Sequence, residues 1–392
     1  MAERSIIKAL SDTVRRECGI LLKNPMYMFC MVVFPIFATI FFTSLMQEGQ
    51  PTDMPVGIVD LDRTSTTRTL TRKLDAFQNT KVAHYYRSVS EARLAMQRNE
   101  IYAFLYIPEG TTSELLAMRQ PKISFYYSST SLTAGALLFK DLKTISTLGA
   151  AGAVSSVLTA KGLTEEQVMS VLQPIVIDTH TLNNPSINYS VYLSTMLVPG
   201  CLMLFIFLVT PYSLGTELKF GTSKEWLGTA GDNIFTAILG KMLPQSVVFL
   251  TIMYAYFYYI YGVLGFPHLG GTGVIMLLGL LAVLATQGFG VFIFGIIPSL
   301  RMSVSVCTLW AVLSFSLVGT AFPLSAMSPF IVGVAQLFPL RHYYMIYQLA
   351  VFNGYPLGYS WLYIAALTAF ALLPLLVTGR IKHAMLEYKY IP

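Results

Sequence analysis

Charge is scarce in this chain. Only 12% of its 392 residues are Asp, Glu, Lys or Arg, against 54% hydrophobic, whereas an ordinary soluble domain carries about 25% charged residues. A plain soluble enzyme is excluded. The charges are also unevenly placed: residues 47–187 hold 13 basic and 13 acidic side chains, and the other 251 residues hold 13 basic and 7 acidic. The net charge of +6 therefore belongs to the hydrophobic part, and the chain reads as a membrane protein with one neutral, water-soluble insert. Cysteine is nearly missing. The four present, Cys18, Cys30, Cys201 and Cys307, lie in or beside apolar segments, so no disulfide framework and no cysteine-based zinc site can be read.

Several chemistries are missing altogether. There is no G-x-x-x-x-G-K-[ST] phosphate loop, no H-E-x-x-H, no G-x-S-x-G and no G-x-G-x-x-G after a strand. No nucleotide site can be read in the chain. The five histidines, His84, His180, His268, His342 and His383, are far apart, and their spacing supports neither a metal nor a catalytic cluster. Basic residues flank apolar runs and do not form a stripe interleaved with aromatics, which argues against nucleic acid as a partner.

A membrane-spanning helix needs about 20 apolar residues, because the hydrocarbon layer is about 30 Å thick and each residue rises about 1.5 Å. Six runs qualify: 26–46, 190–212, 233–261, 273–297, 304–321 and 358–378. The apolar stretch 327–352 is broken by Pro329, Pro339 and Arg341, and its Ser328–Leu340 part reads as a re-entrant or interfacial helix pair. Before the first run, Ile6, Ile7, Leu10, Val14, Cys18 and Leu21 recur at helical spacing opposite a basic face, the pattern of a helix lying in the membrane surface. No small-residue cleavage site follows the first run, so it is expected to remain as an anchor.

Orientation follows from lysine and arginine in the short loops. Eleven lie on one side: Arg4, Lys8, Arg15, Arg16, Lys23, Lys219, Lys224, Arg301, Arg380, Lys382 and Lys389. Only Arg341 lies on the other. Both termini are thus expected in the cytoplasm and the insert outside. Inside the runs Lys241 is the only ionisable residue; it either snorkels to the interface or pairs with a carboxylate such as Asp232. A proton-coupled carrier needs Asp, Glu or His buried in its path, and the runs offer none. Energy for transport must come from elsewhere.

Within the insert, β-rich runs at Val56–Val59, Val82–Tyr86, Tyr102–Ile107 and Ile123–Tyr127 alternate with helical segments at 65–77, 89–99 and 111–118, a small α/β layer. Residues 132–173 read as helical, a stalk or dimer contact, and return to the membrane through an extended stretch at 174–187 with Pro174 and Pro185. Asp60 and Asp62 beside Arg63 look like a phosphate- or metal-handling turn. The reading preferred for them is a capping turn between strand and helix.

The loop Glu217-Leu218-Lys219-Phe220-Gly221-Thr222-Ser223-Lys224-Glu225-Trp226-Leu227-Gly228-Thr229-Ala230 resembles the E-R-E-x-G-T-x-E-x-L-L-x-T-P loop of type-2 ATP-binding-cassette exporter permeases. Glu217, Gly221, Thr222, Leu227 and Thr229 match; Leu218, Lys219, Lys224 and Ala230 depart. Lys23-Asn24-Pro25 followed by Phe34-Pro35 is similar to that family's entry into its first span. Gly319-Thr320-Ala321-Phe322-Pro323, Met327-Ser328-Pro329 and Phe338-Pro339-Leu340 are similar to its re-entrant hairpin after the fifth span. Each has a plainer alternative: Gly221-Thr222 as a turn with Thr capping a short helix, and 322–339 as an ordinary external loop. One span, a large external domain and five further spans resemble the drug- and ion-export branch.

The resemblance implies an α-helical polytopic membrane protein of six transmembrane helices with an extracytoplasmic α/β domain inserted after the first. Its parts would be an interfacial helix at 1–25, the first span at 26–46, the external domain at 47–187, five spans over 188–378 with the hairpin near 322–345, and a cytoplasmic tail at 379–392. In that family the loop couples to a separate ATPase subunit, so Glu217, Gly221, Thr222, Glu225, Leu227 and Thr229 are the expected coupling residues. ATP would be bound by that partner, and the chain itself would hold no cofactor or metal and catalyse nothing. Ser303, Ser305, Thr308, Ser314 and Ser316 give the fifth span a polar content suited to a translocation path, although such residues also glue helices together. A path with few charges suits a hydrophobic or amphipathic substrate. Further expected partners are a second permease copy or paralogue, a periplasmic adaptor and membrane lipids, with the bacterial inner membrane as the location. The alternative is a membrane-anchored receptor or scaffold, which has no reason to keep the 217–230 loop.

Overall fold

A computed structural model describes residues 6–117, 119, 121–172, 183–184, 187–388 and 390. His180, Pro174, Pro185 and Lys389, and most of the stretch expected to be extended at 174–187, lie outside them. The chain divides into two compact units, Met1–Gln47 with Leu182–Pro392, and Glu48–Thr181.

The smaller unit is a four-stranded sheet of β1 (Met54–Asp60), β2 (Thr80–Tyr85), β3 (Ala103–Ile107) and β4 (Ser124–Tyr127), in the order β2-β1-β3-β4. β1 pairs in parallel with β2 and β3, and β4 closes the edge antiparallel to β3. Parallel strands need crossover connections, supplied by helices Ser65–Asp75 and Val89–Gln97. β1 is covered on both faces. Val56 and Ile58 pack with Leu74, Leu138, Leu142 and Ile145, while Val59 packs on the other side with Ala92, Ala95 and Phe104. Helix Leu132–Ala160 contributes Leu138, Leu142 and Ile145 to that first set and helix Ser65–Asp75 contributes Leu74, and the buried Asp141 accepts a hydrogen bond from Thr80 in β2 at 3.0 Å.

The two aspartates after β1 serve the turn. Asp60 accepts from the backbone of Asp62 and Arg63 and from the Thr67 hydroxyl at 2.7–3.0 Å. Asp62 accepts from the backbone of Gly110 and Thr112 and from the hydroxyls of Thr64 and Thr112. Burial opposes ionisation of Asp62, but those hydrogen bonds outweigh it and hold its carboxyl below the ordinary aspartate value. The turn therefore gains stability that is present above that ordinary value and lost as pH falls through the lower folded one. The capping reading is the one the geometry supports.

Among the described residues of the larger unit, six helices are long and apolar enough to cross a membrane: Pro25–Leu45, Tyr189–Lys219, Ile234–Val263, Thr272–Ile296, Leu300–Leu317 and Leu357–Glu387. Asparagine starts three of them. Asn24, Asn188 and Asn233 each accept from backbone N–H groups of the first turn at 2.8–3.4 Å, the ordinary N-cap device, with Pro25 at the first helical position. In the first span Pro35 cannot donate to the preceding turn, and the helix passes it through a π turn at Phe29–Val33. The apolar stretch at 327–352 forms helices Pro329–Ala335 and Pro339–Ile346, the second prolonged by a π turn to Phe352.

Three expectations change at the bundle end that holds Lys219 and Glu387. The second helix does not stop at 212 but runs to Lys219, and residues 379–387 are not a free tail: Ile381, Ala384 and Met385 are buried, two of them in a core with Leu214, Leu218, Trp226, Leu227 and Ile238. The N-terminal helix, Ile6–Lys23, exposes Ile6, Ile7, Cys18 and Leu22 as an apolar face. Leu21 leaves that face. With Ala9, Thr13 and Glu17 it forms a stripe four residues apart that packs into the protein. The stripe crosses the third span at Gly240, where a Cβ would lie 2.6 Å from Thr13 Cγ2 and 2.7 Å from Thr13 Cβ. Gly240→Val should therefore lift the surface helix off the third span at a cost of about 1–3 kcal/mol, read as a lowered melting temperature and faster proteolysis within residues 6–23. Unchanged protection of that segment would refute the crossing.

Candidate functional site

Three chain segments bring ionised side chains into one buried cluster. Glu17 is the polar member of the inward stripe of the surface helix, and Arg16 precedes it. Glu217 lies in the last turn of the second span, and Lys241 sits two turns inside the third. Lys241 Nζ donates to Glu17 Oε2 at 2.8 Å and to Glu217 Oε1 at 2.7 Å. Arg16 forks onto Glu217 through Nη1 at 2.8 Å and Nη2 at 3.0 Å, and its Nη1 also reaches Glu17 Oε1 at 2.7 Å. The Thr222 hydroxyl donates to Glu217 Oε2. Glu217 thus receives four hydrogen bonds, the capacity of a carboxylate.

The side chains of Lys241, Glu17 and Glu217 are 1%, 2% and 3% exposed, and that of Arg16 15%. Two cations meet two anions, so the cluster is neutral as a whole. Burial would lower the Arg16 pKa, but Glu217, Glu17 and Glu225 outweigh it and raise it above the ordinary arginine value. Lys241 neither snorkels nor pairs with Asp232, which is exposed at the turn before the third span; it also lies 5.2 Å from the ring centroid of Trp226. Both buried carboxylates are held by cations, so neither is an unpaired proton carrier.

The loop residues divide by burial. Gly221, at φ +68°, ends the second span with Thr222 N–H bonded to Glu217 C=O at 3.0 Å and Gly221 N–H to Leu218 C=O at 3.3 Å, the glycine-terminated helix stop. The Thr222 hydroxyl serves Glu217 and does not cap the helix that follows, Ser223–Thr229. In that helix Trp226 and Leu227 are fully buried, while Glu225 is 70% exposed and 3.5 Å from Arg16 Nε. Thr229 is half-buried, its hydroxyl donating to Glu225 C=O at 2.9 Å. Phe220, 68% exposed, was not singled out by the sequence pattern. A cavity of about 390 Å³ opens here, lined by Arg16, Tyr27, Glu217, Phe220, Thr222 and Glu225 among others.

The five hydroxyls of the fifth span do not share a face. Ser303 and Ser314 are buried, Thr308 is half-buried, and Ser305 and Ser316 are exposed on a stripe with Leu309 and Val312. Among the described residues no group of three or more His, Cys, Asp or Glu could hold a metal ion.

Removing one member of a buried, compensated cluster leaves a charge unpaired. Lys241→Met should lower unfolding stability by about 3–5 kcal/mol, and adding Glu17→Gln, which restores neutrality around Arg16 and Glu217, should recover more than half of the loss. Additive losses in a double-mutant cycle would show that the charges do not act together.

No curated protein matches the chain significantly. Residues 25–380, from the start of the first span into the last helix, match the family described as ABC-2 family transporter protein. That match spans both units, the ion cluster's Glu217 and Lys241, and the loop between them, and the chain belongs to this family of membrane permeases of ABC transporters, which implies an ABC ATPase as partner.

Proposed function

We propose that the chain is the permease subunit of an ATP-driven exporter in a bacterial inner membrane, paired with a second copy or a paralogue, and that it moves a hydrophobic or amphipathic molecule outward. The observation that carries this reading is the buried cluster of Arg16, Glu17, Glu217 and Lys241, because it fastens a surface helix, a loop and two spans into one body. Force applied to the loop must then reach the spans. The rim of the loop, Phe220, Lys224, Glu225 and Gly228, is exposed and is the surface offered to the ATPase. Glu217, Gly221, Thr222, Leu227 and Thr229 position that rim. Glu217 and Leu227 do so from inside, so they act without touching the ATPase themselves.

The exposed faces of the first and fifth spans, with Phe37, Ile40 and Phe41 on one and Leu309 and Val312 on the other, suit an apolar path or a subunit contact. Ser305 and Ser316 are the hydroxyls placed to line it, while those of Ser303 and Ser314 are buried and donate back to carbonyls of their own helix and its N-cap. The bias of lysine and arginine in the short loops supports cytoplasmic termini and an external Glu48–Thr181 unit. ATP hydrolysis is left to the partner, since the chain has no phosphate loop.

The test is reconstitution with the ATPase subunit. Phe220→Ala should cut transport and transport-coupled ATPase activity by about tenfold while shifting stability by no more than about 0.5 kcal/mol, as for other exposed positions. The chain alone should hydrolyse no ATP. Transport at the wild-type rate by the Phe220 variant would remove the rim from the mechanism and favour an anchored receptor. For orientation, cysteines at Ser129 and Lys224, both exposed, should react with an impermeant thiol reagent from opposite sides of the membrane; labelling from one side only would reverse the assignment.

A further inference from the structure

Arg16 carries more donors than the buried cluster uses. A guanidinium has five N–H groups in a fixed fork. The edge formed by Nη1 and Nη2 is spent on Glu217, and the other Nη1 hydrogen goes to Glu17. What remains is the side edge, where Nε–H and the second Nη2–H lie next to each other. Among the described residues neither makes a hydrogen bond; Glu225 Oε1 is 3.5 Å from Nε, too long for a good one. The Nε atom is nevertheless not sealed in the interior as that of Arg341 is.

Arg16 and Glu225 both line the cavity of about 390 Å³ beside the loop, so the unused edge borders a space within the size range of small-molecule sites. Lys241, the other basic residue of the lining, has given its ammonium to Glu17 and Glu217. Further donors converge on the same space. Asn24 holds the N–H of Met26 with its Oδ1 at 3.0 Å and is left with its Nδ2 hydrogens, and the Tyr27 hydroxyl also belongs to the lining, with Ile20 and Phe220 as its apolar walls.

The charge around the mouth favours an anion. Arg16, Lys241, Glu17 and Glu217 cancel among themselves. Arg15, Lys23, Lys219 and Lys224 are exposed, adjoin lining residues in sequence, and form no ion pair among the described residues. Against these four stand Glu225 and, one turn before Arg16, Asp12. Glu225 is 70% exposed and is free to swing away.

We propose that this cavity binds the phosphate-type oxyanion of a small organic ligand, bidentate on the Nε–Nη2 edge of Arg16, with Asn24 and Tyr27 as further donors and Glu225 as the counter-ion that the ligand displaces. An arginine edge matches two oxyanion oxygens at once. The headgroup of a lipid and a soluble phosphate ester share this chemistry. The plainer reading, an exposed Arg16–Glu225 ion pair beside a solvent recess, predicts no oxyanion binding. Neither the ATPase nor transport enters the site or its test, so this proposal and the proposed function fail separately.

Binding is read on the full chain in uncharged detergent by isothermal titration calorimetry, with glycerol 3-phosphate and short-chain phosphatidylglycerol as probes. Wild-type protein should bind at least one of them saturably, one per chain. Glu225→Gln, a change at an exposed position, should tighten binding about threefold, the scale of an exposed ion pair. Asp232→Asn makes the same change of charge outside the cavity and should leave the affinity unaltered. Arg16→Lys keeps the charge but removes the bidentate edge, and should weaken binding at least tenfold. Should that variant fail to fold, the comparison of Glu225→Gln with Asp232→Asn still decides. Tighter binding of phosphatidylglycerol than of glycerol 3-phosphate assigns the site to a headgroup, and the reverse to a soluble ester. No saturable binding of either probe, equal effects of Glu225→Gln and Asp232→Asn, or undiminished binding by a folded Arg16→Lys variant would overturn the proposal.

Discussion

The charge on Lys241 constrains the rest of the bundle. A lysine two turns inside a membrane helix cannot stay ionised in hydrocarbon without partners, and its own helix supplies none, because no Asp or Glu follows Asp232 until Glu387. The partners must come from elsewhere in the chain. Glu217 arrives because the second span runs on to Lys219 before Gly221 stops it. Glu17 arrives because the surface helix turns a stripe of Ala9, Thr13, Glu17 and Leu21 inward and Gly240 lets it approach. Two carboxylates on one ammonium would leave a surplus negative charge, and Arg16 removes it by forking onto Glu217. Each step requires the one before it.

This closure settles what the loop can do mechanically. Glu217 anchors Thr222 by a side-chain bond and by the glycine-terminated turn. Two further points hold the short helix after it, Trp226 over Lys241 and Leu227 in the core with the last helix. The cluster is strongest when dry and intact, so small displacements of its members are opposed far more than displacement of the whole. The surface helix, the loop and the ends of the second and third spans should therefore move as one piece. A loop tied only by exposed ion pairs would yield to solvent and salt.

Much of this was legible in the sequence, and what escaped it has a common cause. The six spans follow from run length, and the strands and helices of the small unit lie close to where alternation and capping residues put them. Asp60 and Asp62 are turn residues, as their place between a strand and a helix implies. Lys241 was visible as a charge in need of a partner, but its partners lie 24 and 224 positions away, and nothing in one sequence ranks Glu17 or Glu217 above the nearer Asp232. The apolar run ends at 212, which puts Glu217 in the loop; the helix continues because Leu214 and Leu218 have a core to enter. Leu21 was assigned to the lipid face since periodicity cannot separate two adjacent apolar stripes on one helix. In the fifth span the five hydroxyls are spread over opposite faces, which composition does not reveal.

The distribution of carboxylates gives the larger unit its polarity. Its seven acidic residues, Glu3, Asp12, Glu17, Glu217, Glu225, Asp232 and Glu387, fall in the segments before the first span, after the second and at the chain's end. Among the described ones, Glu17 and Glu217 are used in the interior and the rest are exposed or half-buried. At that end Arg16 and Lys241 meet Glu17 and Glu217 within the protein, and the structure buries the four charges together. At the other end Arg341 donates to the backbone carbonyl of Val318 at 2.6 Å. The carboxylates of the unit are thus gathered at one end of the bundle, where they allow two basic side chains to be buried, while the arginine of the hairpin leans on a backbone carbonyl instead.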